Sequence, residues 1–303
     1  MNKKILADIS LLYVAFIWGA TFVLVQNAIS FIAPFSFNGI RFFLASFILF
    51  IWLVLFKSEQ LKEINRKQLF AGFVIGIWLF AGYALQTFGL LYTSSSKAGF
   101  ITGLSVVLVP IFTFFILKQR PKTNGLIGVA VATIGLYFLT MGDQASVNKG
   151  DILVFFCAIS FALHIIFTGK YTSQYPTLLL TVTQLTTVAI LSSFSALLFE
   201  DWKTGLTLNV ILTSEVIVAL IITSLFATAF AFLAQTKFQQ YTTPTRVALI
   251  FAMEPVFAAI TAYFWAGERL SYIALFGGIL IFIGMIIAEL PQRKKAHLQS
   301  NLN

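Results

Sequence analysis

The chain has 303 residues, of which 59% are hydrophobic and only 10% charged, whereas a soluble domain carries about 25% charged residues. With a mean hydropathy of +0.92 and 34 phenylalanines, its apolar side chains need a lipid bilayer to face, which excludes a soluble enzyme, a nucleic-acid binder and a secreted scaffold. The net charge of +9 reads first as a topology signal, and a lone Cys157 inside an apolar run excludes an internal disulfide and a cysteine-based metal site.

Ten apolar stretches of about 18–23 residues follow one another, each able to cross a hydrocarbon core of roughly 30 Å as a helix. In chain order they cover 9–29, 37–56, 69–91, 98–117, 124–141, 151–168, 178–199, 215–235, 245–266 and 272–290. The first follows Lys3 and Lys4, but it is longer than the core of a secretory signal and has no small-residue cleavage site, so it reads as a retained helix. The stretches are continuously apolar rather than alternating, which favours helices over barrel strands. The longest connection, roughly 200–214, is too short for a folded domain outside the membrane. The expected fold is an all-α integral membrane protein of ten transmembrane helices.

Of the 20 basic residues, only Arg41, Lys97, Lys149, Lys203 and Arg269 fall on one side of such an arrangement. This positive-inside bias supports the even count and places both termini in the cytoplasm of a cell membrane. A shift of 149 residues aligns 86–141 with 235–290 without a gap, pairing Gln86, Thr87, Tyr92 and Thr93 with Gln235, Thr236, Tyr241 and Thr242. Upstream, a shift of about 143 pairs Asp8 with Asp151, Thr21 with His164 and Arg41 with Gln184. The chain is therefore expected to consist of two five-helix repeats, 6–141 and 150–290, and a basic cytoplasmic tail, 291–303. Five is odd, so the second repeat is inverted in the membrane, and equivalent loops should carry opposed charge. They do: the basic loop 57–67 corresponds to a segment holding Glu200, Asp201 and Glu215. Inverted repeats of this kind let two halves exchange conformations and expose a central site alternately to each side, as secondary transporters do.

Several motifs carry a family resemblance. Leu91-Tyr92-Thr93-Ser94-Ser95-Ser96-Lys97-Ala98-Gly99, Met253-Glu254-Pro255-Val256-Phe257, Gly267-Glu268-Arg269-Leu270, Trp18-Gly19 and Ile40-Arg41-Phe42 resemble signatures of the EamA-type transporters of the drug/metabolite transporter superfamily. The resemblance covers nearly the whole chain, with one departure at Gln119, where the first half often has an acidic residue. It implies ten helices, cytoplasmic termini, a central cavity and export or exchange of small metabolites.

Glu254 is the only acidic residue well inside an apolar stretch. An ionised carboxylate at that depth costs roughly 2.5–3.5 kcal/mol, so it must be paired, hydrated or protonated. It reads either as a proton-coupling group or as a neutral carboxyl that fixes helix packing. Pro255 removes a backbone donor beside it and permits a bend. Arg41, a turn into the second helix, either snorkels to the interface or faces the cavity and holds an anionic group of the substrate. Lys97 and Arg246 occupy matching helix starts and read as helix-end residues. Tyr83 with Gln86, and Trp18 with Thr21, are spaced i, i+3 and share helix faces. These four, with Arg41, His164, Gln184 and Gln235, form the expected substrate-binding set. His164 also reads as a packing residue. Gly72 with Gly76, Gly128 with Gly135 and Gly277 with Gly284 read as seams for close helix approach.

Uncharged donors and acceptors among aromatics suit a neutral, zwitterionic or amphipathic small molecule. The function this suggests is a secondary active transporter, an exporter of metabolites such as amino acids or of toxic amphipathic compounds, coupled to protons where Glu254 takes its proton-coupling reading. An uncoupled facilitator and a transporter-derived sensor are the alternatives. An intramembrane enzyme fits poorly, since only His164 and His297 are available and Glu254 has no second deep carboxylate. No cofactor is implied, and no GxxxxGK[ST] motif is present for nucleotide. The expected partners are a small-molecule substrate and the lipid bilayer, with no nucleic acid; a monomer and a homodimer are both compatible.

Overall fold

A computed structural model of the chain describes residues 3–93, 95–140, 148–201, 206–265 and 271–290. The motif from Gly267 to Leu270, Lys203, the tail 291–303 and the side chain of Lys97 lie outside the described residues. The described residues are helical, with no strand among them.

The helices are α1 (Lys3–Ala28), α2 (Pro34–Phe56), α3 (Arg66–Gly89), α4 in two pieces (Ser95–Gly103 and Ser105–Leu117), α5 (Thr123–Thr140), α6 (Lys149–Tyr171) and α7 (Thr177–Phe199). There follow α8 (Ser214–Gln239), α9 in two pieces (Pro244–Phe251 and Glu254–Trp265) and α10 (Tyr272–Glu289). Eight of these are long and apolar enough to cross a membrane. Two shorter apolar helices, Thr123–Leu139 and Tyr272–Ala288, belong to α5 and α10. The connection before α8 contains one helical turn, Leu208–Ile211.

Three departures from regular helix occur, one of them beside Pro255, where the sequence permits a bend, and two without a signal in the sequence. The predicted fourth stretch is interrupted at Leu104, whose N–H reaches both Phe100 and Ile101 carbonyls at 3.2 and 3.1 Å, a tightened turn. The ninth breaks at Ala252 and Met253. Pro255 has no N–H to return to the carbonyl of Phe251, so the first piece ends there, and a new helix starts with proline in its first turn, where no donor is missed. The middle of α8, Thr223–Phe230, is a π-helix.

Helix ends are closed by local chemistry. Asn65 accepts the N–H groups of Lys67 and Gln68 at the start of α3, and Asn148 with Asp151 forms a reciprocal capping box on α6. The start of α2 is closed from a distance: Glu200, just past α7, accepts the Phe35 and Ser36 N–H groups at 2.7 and 2.8 Å.

Polarity is inverted relative to a soluble protein. Trp52, Phe56, Phe115, Phe199 and Phe264 are exposed, whereas Asn38, Gln184, Thr228 and Gln235 are buried. The outer surface is solvated by lipid, and the polar side chains are gathered where helices meet.

Packing follows the small residues. α5 lies against α10; a Cβ at Gly128 would come within 2.5 Å of the Gly284 carbonyl oxygen and one at Gly135 within 2.6 Å of that of Gly277. Gly72 and Gly76 seat Thr183 and Thr187 of α7. α1 meets α9 at Gly19, where an added Cβ would lie 2.5 Å from the Glu254 carbonyl oxygen and 2.8 Å from the Ala258 nitrogen. α3 also packs on α6, α8 on α1 and α2, and α4 on α6.

Candidate functional site

The interrupted helices α4 and α9 face a cavity that α1, α2, α3, α6 and α8 complete. The volume that the centres of water molecules can occupy is about 70 Å³, well under the roughly 300–1,000 Å³ of typical small-molecule sites. In this conformation the cavity has room for only a few water-sized molecules, and a metabolite requires it to widen.

Of the nine residues expected from the sequence to bind substrate or carry protons, eight line this cavity: Trp18, Thr21, Arg41, Tyr83, Gln86, His164, Gln235 and Glu254. Gln184 does not line it. That residue is fully buried behind His164, with Oε1 3.1 Å from His164 Nε2 and its amide donating to Thr236 Oγ1 at 3.0 Å. The internal alignment with Arg41 pointed to it, but a shorter uncharged side chain bonded to its neighbours stops short of the cavity.

Arg41 does not snorkel. It is 3% exposed, and its Nε donates to Thr228 Oγ1 at 2.7 Å while Nη2 donates at 3.4 Å to Tyr83 Oη and to the Ala227 carbonyl. Its Cζ lies 4.9 Å from the Tyr83 ring centroid and 5.5 Å from that of Phe42, so aromatic faces further stabilise the cation. The Ala227 carbonyl also accepts the Trp18 indole N–H at 2.8 Å. The wider π turn of α8 thus presents a carbonyl and a hydroxyl together to side chains of α1 and α2.

Glu254 sits at the first position of the second piece of α9. Among the described residues no hydrogen bond or ion pair reaches its carboxyl group, and none joins it to Arg41 across the cavity. Gln235 is 1% exposed and its Oε1 has no partner among the described residues, while its amide donates to Gln239 at 3.4 Å. Gln86 donates to Thr102 Oγ1 at 3.3 Å, and Thr21 bonds back to the Ile17 and Trp18 carbonyls at 2.9 and 3.1 Å. Phe161, Phe232 and Phe251 close the walls, Phe232 packing edge-on against both Tyr83 and His164. The site therefore offers a fixed guanidinium, a carboxyl group and an amide oxygen with unused capacity, set among aromatic faces.

The residues missed from the sequence are Thr228, the Ala227 carbonyl and the three phenylalanines. A π turn has no compositional signal, and a phenylalanine among 34 does not announce which way it points. Arg246, read as a helix-end residue, forms an ion pair with Asp8 at 2.5 Å that ties α9 to α1.

Spanning helices around a polar central cavity define a multi-pass membrane protein of transporter type. The chain belongs to the EamA-like transporter family, whose model matches residues 5–141 and again 148–289. It is 35% identical over 292 residues to an uncharacterized transporter of Archaeoglobus fulgidus, covering 95% of this chain and 87% of that one. It is 21% identical to the uncharacterized transporter YoaV of Bacillus subtilis, covering 95% and 97%. A solved crystal structure shares the fold at a TM-score of 0.75 and 17% identity, covering 93% of this chain and 96% of the other.

Proposed function

We propose that the protein is a secondary transporter that exports a small zwitterionic or amphipathic metabolite, such as an amino acid, by alternating access across the plasma membrane. The observation that carries this reading is the cavity itself: Arg41 and Glu254 both face it without pairing with each other. A zwitterion satisfies both at once, its anionic group on Arg41 and its cationic group toward Glu254 and the Gln235 oxygen. When the site is empty, the same carboxyl group takes up a proton, which couples substrate movement to the proton gradient.

In this reading all ten helices cross the membrane, 6–141 and 150–290 being inverted repeats, with both termini and the tail 291–303 in the cytoplasm. The double family match supports the duplication. So does the packing: exchanging each helix for its counterpart turns α3 on α6 into α8 on α1, and α1 on α9 into α6 on α4, contacts that all occur. About 17 residues in each of Thr123–Leu139 and Tyr272–Ala288 reach roughly 25 Å, and the glycine seam holds these two as a support while the other helices move. The alternating exchange needs one copy of the chain, so a monomer suffices and a homodimer is compatible.

The test is reconstitution into liposomes with an imposed pH gradient, using the metabolites that accumulate outside overexpressing cells. The expected result is accumulation against a gradient with proton movement that Glu254→Gln abolishes. Downhill movement alone, with no proton flux in either wild type or variant, would instead establish an uncoupled facilitator, and proton flux unchanged in the variant would remove Glu254 from the coupling.

A further inference from the structure

On their outward surface, α1 and α8 leave a groove of about 400 Å³, within the range of roughly 300–1,000 Å³ that holds small organic molecules. Ile9, Tyr13, Phe230 and Leu233 form its walls, and Lys237 also lines it. Ile9, Tyr13 and Phe230 are about half exposed, at 55%, 52% and 48%. On a spanning helix pair such a groove is filled by hydrocarbon, because water there would lack partners.

The charge at one end selects the lipid. Lys237 is exposed, and its Nζ lies 5.8 Å from the Phe238 ring with no carboxylate within ion-pair distance among the described residues. Lys3 lies two turns before Ser10, another lining residue, on the same face of α1, and its Nζ sits 5.6 Å from the ring of Tyr241, four residues beyond Lys237. One ammonium group on each helix thus lies toward the end of the groove where α1 begins and α8 ends. Asp8, the nearest acid in α1, is occupied by Arg246 at 2.5 Å.

We infer that this groove is a binding site for an anionic phospholipid, with one acyl chain lying between α1 and α8 and the phosphate held by Lys3 and Lys237. The site is separate from the central cavity and does not depend on what the cavity carries. Two lysines at a membrane surface favour an anionic over a zwitterionic headgroup by roughly tenfold to thirtyfold.

Native mass spectrometry of the full chain in neutral detergent, titrated with phosphatidylglycerol or phosphatidylcholine, tests this. The expected result is one retained phosphatidylglycerol with that preference, lost in the Lys3→Gln, Lys237→Gln double variant. Both lysines are exposed, so the variant should fold and unfold thermally as wild type does. Leu233→Trp, which fills the groove, should weaken both lipids. Equal binding of the two lipids, retention of the preference in the double variant, or inorganic phosphate alone blocking phosphatidylglycerol at low millimolar levels would each overturn the assignment.

Discussion

Thr228→Val removes the acceptor of the Arg41 Nε–H while leaving a side chain of nearly the same shape. The bond it deletes is the short one at 2.7 Å; the two that remain, to Tyr83 Oη and the Ala227 carbonyl, are both 3.4 Å. Neither can shorten to compensate, since Tyr83 is wedged between the rings of Phe42 and Phe161 and the Ala227 carbonyl already serves Trp18. A hydrogen bond to a charged group contributes about 1.5–3 kcal/mol, and here its loss strands a buried guanidinium N–H. At about 2–4 °C per kcal/mol, the scale for large soluble domains, the unfolding midpoint in detergent should fall by roughly 3–12 °C. Thr228→Ser keeps the oxygen and should recover most of the loss. The guanidinium is also freed to move, so phenylglyoxal, read out by peptide mass spectrometry, should modify Arg41 faster in the valine variant than in wild type. A valine variant that unfolds with wild type and leaves Arg41 no more reactive would refute the idea that the π turn of α8 orients this arginine.

Three further outcomes follow from the geometry. Arg41→Lys cannot place one ammonium on Thr228, Tyr83 and Ala227 at once, so the apparent affinity for a carboxylate-bearing substrate should drop by roughly tenfold or more, one charge-assisted bond's worth; transport kinetics in liposomes measure it. Gly19→Ala drives a Cβ against backbone atoms of Glu254 and Ala258, which cannot swing aside, so α1 must shift from α9; a loss of about 1–3 kcal/mol in detergent unfolding, with impaired transport, is expected. Glu200→Ala leaves the Phe35 and Ser36 N–H groups without their carboxylate acceptor. The cost should be about 0.5–2 kcal/mol, visible as faster hydrogen exchange at the start of α2 with the cavity unaffected.

The length of the apolar runs was enough to find the helices, because lipid imposes such a run on a crossing segment, although Thr123–Leu139 and Tyr272–Ala288 are shorter than the other eight. Polar residues were legible for the same reason: a glutamate such as Glu254, or an arginine such as Arg41, stands out against an apolar background, and the internal shift of 149 pointed to Gln86 and Gln235. The glycine pairs were equally readable, and Gly128 and Gly135 do meet Gly284 and Gly277. What the apolar runs could not give was direction. Arg41 near a helix end fits snorkelling as well as burial, and only the packing of α2 against α8 turns it inward. Gln184, by the same internal comparison, seemed to belong beside it, yet its bonds to His164 and Thr236 hold it back from the cavity.

Sequence by itself thus determined the class of protein, a multi-pass transporter of the EamA-like family, together with which few polar side chains stand inside apolar stretches, since the cost of placing such groups in hydrocarbon is local. Tertiary structure alone decided which of them share a cavity, that α4 breaks beside it, and that a π turn in α8 supplies Thr228 and the Ala227 carbonyl to Arg41 and Trp18. Those features depend on contacts between helices far apart in the chain, up to 209 residues for the Trp18 bond, and no local pattern of residues encodes the angle at which two helices meet.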